Sequence, residues 1–180
     1  MAEISIEFPH DKLIEAWEDE RYKEGSTEPW TQYLIASFVK SMGAKNVLET
    51  GTFHGFTTAW LASTGAQIVS VDLEDRGGET FVSECGYDNV MFRLGDALEA
   101  MRNLPLDSFD IVFIDDDHHW PHVRKEILAA QRIVRPGGLI LLHDAIAGAW
   151  GHRYPLHEFG GVCVDLPKLH LAGGLGIISV

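Results

Sequence analysis

The 180-residue sequence is short of cysteine, of clustered positive charge and of long apolar runs. Its two cysteines, Cys85 and Cys163, stand far apart and outside any Cys-x-x-Cys spacing. That excludes a disulfide scaffold and fits a reducing cytoplasm. Fourteen Lys and Arg face 27 Asp and Glu, a formal net charge of −13, and the basic residues are scattered singly. Nucleic acid and anionic lipid both need a basic footprint, so neither is expected as a partner. A small neutral or cationic ligand is easier to accept. No apolar run approaches the length that spans a bilayer. The opening MAEISIEFPHDK lacks the basic stretch and apolar core of a secretory leader, so none is expected. There is no repeat, low-complexity tract or linker.

What is present suits one globular domain. The hydrophobic fraction is 46% and the charged fraction 23%, and a chain of this length builds a real core. Residues 10–24 read as a charged helix with Leu13, Ile14 and Trp17 on one face. After the break EGST, Ser26 or Thr27 can cap a second helix, with Pro29 in its first turn. Trp30, Leu34, Phe38 and Met42 recur every four residues, and Gly43 ends the pattern. Trp30 and Tyr33 lie on a helix that could cover a ligand, but Trp30 fits the apolar stripe and a core role is expected for it.

From residue 45 two element types alternate. Apolar, β-branched runs at 46–49, 67–73, 90–94, 109–114 and 138–142 are separated by helical stretches at 55–63, 78–85, 97–102 and 120–134. Alternation of this kind predicts a parallel sheet covered on both faces. Beyond residue 145 comes a polar-aromatic loop, then VCVDL and GLGIISV as two closing strands. The expected fold is α/β: a Rossmann-like, doubly wound, mostly parallel sheet with helices on both faces and an N-terminal helical extension. The whole chain, 1–180, reads as one domain: helices over 1–44, a core over 45–145, and a loop with closing strands over 146–180.

Ligands of open α/β sheets bind at the carboxyl ends of the strands. Each predicted strand here ends in acid: Glu49, Asp72, Asp96, Asp115-Asp116-Asp117 and Asp144. One such acid is adequately explained as a helix cap. Five together repel one another and ask for a ligand. In VLETGTFHG, Gly51 permits a tight turn and Gly55 a close approach. Asp72 follows at the end of the next strand, where a carboxylate can accept from both hydroxyls of a ribose. The turn lacks the third glycine of the dinucleotide fingerprint, and Glu49 before it would repel a pyrophosphate while suiting a sulfonium. The implied ligand is a nucleoside with a cationic tail. A nicotinamide dehydrogenase is the neighbouring alternative.

VLETGTFHG, VSVDLE, LGDALEAM, FDIVFIDDDHHW and RPGGLILLHD resemble, in order and spacing, the class I S-adenosylmethionine-dependent methyltransferases. The resemblance covers about 47–144 and is closest to the catechol-type and macrocin-type O-methyltransferases. It implies that Glu49, Gly51, Thr52, Phe53, His54 and Gly55 surround the methionine moiety of S-adenosylmethionine. Asp72 would hold the ribose, with Leu73 beside it, and Gly95, Asp96 and Ala97 would flank the adenine. Asp115 would sit by the sulfonium and, with Asp144, ligate a magnesium ion in the metal-dependent branch. The chain departs from that branch at Asp116, where glycine is usual, and at Ala145, where Asn or Asp supplies a further oxygen.

Methyl transfer to a hydroxyl needs a base. Asp117 or His118 is the candidate, the carboxylate provided that its pKa is raised. His118 and His122, four apart, would share a helix face and could ligate zinc, but short matches of this kind are common. A solvated helix start is the expectation for His119 and His122. His54 is as readily a solvent-facing loop residue as a ligand contact. Trp150, His152, Arg153, Tyr154 and His157 fall in a loop of the kind that shapes acceptor pockets. The expected activity is O-methylation of a small hydroxylated acceptor, with homo-oligomerisation left open. The alternatives are cleavage of the donor itself and a non-catalytic donor-binding subunit.

Overall fold

A computed structural model describes residues 11–146, 153–165 and 173–180. Seven strands form one sheet: β1 (Asn46–Thr50), β2 (Gln67–Asp72), β3 (Val90–Leu94), β4 (Phe109–Ile114), β5 (Val134–Leu142), β6 (Val162–Val164) and β7 (Leu175–Ser179), in the order β3-β2-β1-β4-β5-β7-β6. The first five pair in parallel, and β7 runs antiparallel to both β5 and β6. The order reverses at β1, with β2 on one side and β4 on the other, which is where a doubly wound sheet opens a crevice.

Successive strand residues point to opposite faces, so each central strand feeds two cores. Leu48, Val112, Ile140 and Leu142 pack under α5 (Ala97–Arg102) and α6 (Trp120–Ile133). Val47, Ile111, Phe113 and Leu141 pack under α2 (Pro29–Met42) and α3 (Phe56–Ala62). A smaller cluster joins α1 (Asp11–Glu15) and α4 (Gly78–Glu84) to the outer side of α3 through Leu13, Phe81 and Val82. The sheet is therefore the middle of three layers, as expected.

The N-terminal extension differs from its sequence reading. The helix expected over 10–24 is α1 followed by two 3₁₀ segments, Ala16–Glu18 and Glu20–Glu24, divided at Asp19, whose ψ of 136° is extended. Asp19 caps the second segment by accepting from the Arg21 N–H, and serine and aspartate side chains of this kind compete with helix continuation. Ile14 consequently faces solvent while Leu13 is buried. In α2 the buried face is Gln32, Ile35, Ala36 and Val39, and Trp30 is 53% exposed. An every-fourth-residue stripe drifts around a helix of 3.6 residues per turn, whereas 32, 35, 36 and 39 stay on one side. Trp30 is thus not a core residue; Leu34, Phe38 and Met42 pack half-buried at the margin. The N-cap of the helix is Glu28, with no side-chain cap bond, which frees Ser26 and Thr27 from the capping role. α6 ends one residue early and β5 starts at Val134, so Val134 is buried in the sheet and not on the helix.

Candidate active site

The carboxyl ends of the strands are held level by backbone bonds that extend the ladders one residue further. Gly51 N–H donates to the Val71 carbonyl (2.8 Å), Asp115 N–H to Thr50 (3.0 Å), Gly95 N–H to Asp72 (2.8 Å) and His143 N–H to Ile114 (3.0 Å). A cavity of about 400 Å³ opens over this edge, within the usual range for small-molecule sites. The turn after β1 forms its floor. Gly51 has φ +86°, and a Cβ there would lie 2.0 Å from the Asp115 carbonyl oxygen. Gly55, at φ +81°, lies so close to Gly78 at the start of α4 that a Cβ would meet its carbonyl at 2.7 Å. Both glycines are required by backbone conformation and by space.

Most of the expected donor-binding residues line this cavity: Gly51, Thr52, Phe53, His54, Asp72, Leu73, Gly95, Asp96, Ala97 and Asp115. Asp72 stands at the tip of β2. One carboxyl oxygen accepts from the Phe53 N–H (2.7 Å) and the other from the Glu74 N–H (3.0 Å); each oxygen keeps a further lone pair. Asp96 caps α5 by accepting from the Glu99 N–H (2.8 Å), so it acts as a cap as well as a wall. His54 is buried, its Nδ1 3.1 Å from the Arg76 carbonyl, and is not the solvent-facing loop residue that was one expectation. Gly55 is the N-cap of α3 and holds the turn from behind the wall.

Glu49 is placed differently from the expectation. It lies fully buried under the turn, outside the cavity wall, with Oε2 accepting from Thr58 (2.5 Å) and Ser70 (2.6 Å). Burial raises its pKa to about 8, so near neutral pH it is largely an uncharged acid and neither repels nor attracts a ligand. The remaining charge of the wall is still acidic. Asp72, Asp96, Asp115, Asp116, Asp117 and Asp144 line it against the guanidinium of Arg76 and the ring of His143. Such a cavity favours a cationic group.

A chain of ion pairs runs beneath the acidic wall. His143, almost fully buried, sets Nδ1 2.9 Å from Asp115 and Nε2 2.8 Å from Glu28. Burial opposes a charged ring, but Asp115, then Glu28 and Asp144, raise its pKa well above the ordinary value. Burial likewise pushes Glu28 up, yet the bond and charge of His143 outweigh it and hold it below the usual range. The Thr27 hydroxyl donates to the second oxygen of Asp115 (2.5 Å). Thr27 and Glu28 were not assigned roles at the site from sequence, and His143 only as a possible substitute for the metal ligand missing at Ala145. The signal available was His143 beside a strand-end acid; nothing local marks Thr27 and Glu28, which arrive from 88 and 115 residues away.

This arrangement does not fit the magnesium ion implied by resemblance. Both Asp115 oxygens are engaged, Asp144 lies within 3.8 Å of the His143 ring, and the third position, Ala145, is a buried methyl. Magnesium requires oxygen donors and tolerates crowding by cations poorly. The His143 ring, 2.9 Å from Asp115, stands against the carboxylate that the ion would need.

Asp144 sits at φ +51°. Gly173 closes over it, leaving no room for a Cβ, which would lie 1.7 Å from the Asp144 carboxyl. Its Oδ2 is 3.7 Å from His118 Nε2. The backbone carbonyl of His118 accepts from the Tyr154 hydroxyl (3.1 Å), and Tyr154 stacks on Trp120 at 5.4 Å. Of the loop residues, Tyr154 is thus buried and supports His118; Arg153 and His157 are exposed, and Trp150 and His152 lie outside the described residues. Asp117 differs from its expectation as a base. Burial alone would raise its pKa, but the backbone and ring of His119 (2.8 and 2.7 Å) lower it overall. The zinc geometry imagined for His118 and His122 is also absent: α6 begins at Trp120, so His118 is outside the helix. His122 faces Asp116 and Glu126 instead.

Comparison with known proteins bears on the family and the fold. A family model described as a methyltransferase domain matches residues 48–145. A "Putative O-methyltransferase" of Mycolicibacterium vanbaalenii is 32% identical over 136 residues, covering 69% of this chain and 58% of the relative. The chain therefore spans under three fifths of the length of that relative. Among solved structures, the O-methyltransferase TomG of Streptomyces achromogenes in complex with S-adenosylmethionine superposes with a TM-score of 0.75 at 19% identity, covering 96% of this chain and 90% of that one. An O-methyltransferase from Bacillus cereus in complex with S-adenosylhomocysteine gives 0.70 at 19% identity, covering 96% and 92%. At those identities the two structures establish the shared fold.

Proposed function

The chain belongs to the methyltransferase-domain family, and on that premise we propose that it moves the methyl group of S-adenosylmethionine to a hydroxyl oxygen of a small acceptor. The observation that carries this reading is the acidic cavity at the strand ends, with Asp72 at the tip of β2 and a glycine turn beside it. When bound, the donor supplies a methyl carbon already activated by its sulfonium.

The residues of the chain then bind, align and deprotonate. Asp72 holds the ribose hydroxyls. Leu73, Gly95, Asp96 and Ala97 border the adenine, and the turn from Gly51 to Gly55 borders the methionine tail. Asp115, oriented by Thr27 and His143, faces the cationic sulfur. His118 is the base: Nε2 is turned to Asp144, which leaves Nδ1 to take the acceptor proton. The acceptor oxygen bonds to the methyl carbon as the carbon–sulfur bond breaks, and the electron pair stays on sulfur. Asp117, held low and bound by His119, is the weaker candidate. The reading takes no magnesium at Asp115 and Asp144. It places the protein in the cytoplasm, as one domain acting on a small molecule without nucleic acid. Among the described residues, Gly25, Ser26 and Thr27 border the donor side, 45–145 bind the donor, and 153–159 stand on the acceptor side. Among the described residues no helix is long and apolar enough to cross a membrane.

The test is calorimetric titration with S-adenosylhomocysteine and with NAD, followed by product analysis with methyl-labelled donor and a panel of hydroxylated acceptors. Binding of the first and not of NAD is expected. Asp72→Ala should weaken it by about tenfold to a hundredfold, the worth of hydrogen bonds to a charged group. Tighter NAD binding, or an unchanged affinity in the variant, would overturn the reading. Label released without acceptor would mean donor cleavage, and binding with neither would mean a non-catalytic subunit.

A further inference from the structure

A second cluster lies on the wall of the same cavity and is used by none of the steps above. His122, in the first turn of α6, points Nε2 at two carboxylates: Oδ2 of Asp116 at 4.0 Å and Oε2 of Glu126 at 3.8 Å. One ligand-type atom from each of the three residues lies within 4.8 Å of the others. Positions 122 and 126 share a helix face because they are four apart. The other ring nitrogen of His122 is 3.9 Å from Oδ2 of Asp117, the position in which a carboxylate orients a ligating imidazole.

Glu126 is the telling member. It is 0% exposed, and neither carboxyl oxygen makes a well-aligned hydrogen bond, although the Thr50 hydroxyl and the Asp116 carboxyl group stand beside it. Burying a carboxyl group without such bonds is costly, and buried polar groups are nearly always satisfied. A helix face needing only an apolar contact would be served by leucine. An acid placed here, aimed at an imidazole and a second acid that reach the cavity, is the composition of a metal-ion site.

We propose that Asp116, His122 and Glu126 hold one divalent first-row transition-metal ion of the zinc class, with its remaining coordination position open to the cavity. The imidazole favours such an ion over magnesium or calcium, which take oxygen donors. The size is right: His122 Nε2 lies 4.0 and 3.8 Å from the two carboxylate oxygens and the three donors all lie within 4.8 Å of one another, so a central ion would stand roughly 2.3–2.5 Å from each, and zinc bonds of about 2.0–2.2 Å need only slight contraction. Asp116 and His122 line the cavity and Glu126 lies behind them, which gives a three-ligand site with an open face, the arrangement of metal ions that contact a substrate. The site is distinct from Asp115 and Asp144, and it stands on its own geometry whether or not methyl transfer is the activity.

The experiment is calorimetric titration of the full chain with zinc chloride, after chelator treatment and removal of the chelator. One ion per chain is expected, with saturation well below ~100 µM. His122→Ala and Glu126→Gln should each weaken binding by about tenfold or more, while Asp144→Asn leaves it unchanged. Glu126→Gln preserves shape and buries no charge, so a thermal unfolding curve like that of the wild type certifies its fold. Cobalt(II) in place of zinc should give visible absorption bands that both variants lose. Absence of saturable zinc binding, binding equal in wild type and both variants, or binding lost only in Asp144→Asn would each overturn the proposal.

Discussion

At the scale of single residues, backbone conformation and buried charge set the sharpest constraints. Gly51 is the clearest case, because a side chain there meets a strand-end carbonyl and not a flexible atom. Gly51→Ala should cost about 2 kcal/mol or more in denaturant unfolding, since it combines a left-handed φ with a steric clash. S-adenosylhomocysteine affinity should fall with it. His143 is constrained by charge. It is the shared cation of Glu28 and Asp115, so His143→Leu leaves two partly buried carboxylates facing an apolar group. Breaking buried pairs from one side costs about 3–5 kcal/mol, and urea unfolding would measure it. His143→Gln keeps hydrogen-bonding capacity without the charge and should fall between the two. A His143→Leu protein as stable as wild type would mean that the carboxylates are neutralised in another way.

At the scale of elements, the sequence was legible where one pattern dominated and illegible where patterns competed. The five parallel strands and α3 to α6 stand close to the ranges expected from alternating apolar runs and glycine stops. The strand-end aspartates were legible for the same reason: a strand boundary fixes which residue sits at its tip. Glu49 was misread because strand-end position does not reveal whether a side chain turns up into the crevice or down into the core. α1 and the capping residues were misread because Asp19 and Thr27 each had two uses, and tertiary contacts chose between them. The face of α2 was read from an every-fourth stripe that a helix cannot keep on one side. That correction is measurable. Trp30→Ala, at a position 53% exposed and touching Tyr33 edge-on at 6.4 Å, should cost less than about 1 kcal/mol. Ile35→Ala, at a position with no exposure, should cost about 2–5 kcal/mol. Equal costs by thermal unfolding would restore the original stripe.

At the scale of the whole molecule, the buried acids and the buried histidine make stability depend on pH in a definite sense. Glu49 has a folded pKa of about 8 against an ordinary 4.5, with burial the main cause. Between those values the unfolded chain has ionised this group and the folded chain has not. The folded state then binds more protons, so stability falls as pH rises across that window. His143 adds to the loss at higher pH: its raised pKa contributes stability fully present below about 6.5 and lost as pH climbs through the folded value. Glu28 and Asp117 work in the opposite direction. Both are held below their ordinary values, and their contribution is lost as pH falls through the folded pKa. A maximum on the mildly acidic side of neutrality follows for the metal-free protein. Glu49→Gln isolates one contribution, because glutamine keeps an acceptor for Thr58 and Ser70 and cannot ionise. In urea titrations from pH 5 to 8, wild type should lose on the order of a few kcal/mol more than the variant. Parallel pH profiles would show that Glu49 is charged in the folded protein. Its carboxylate would then count among the charges that the cavity presents to a cation.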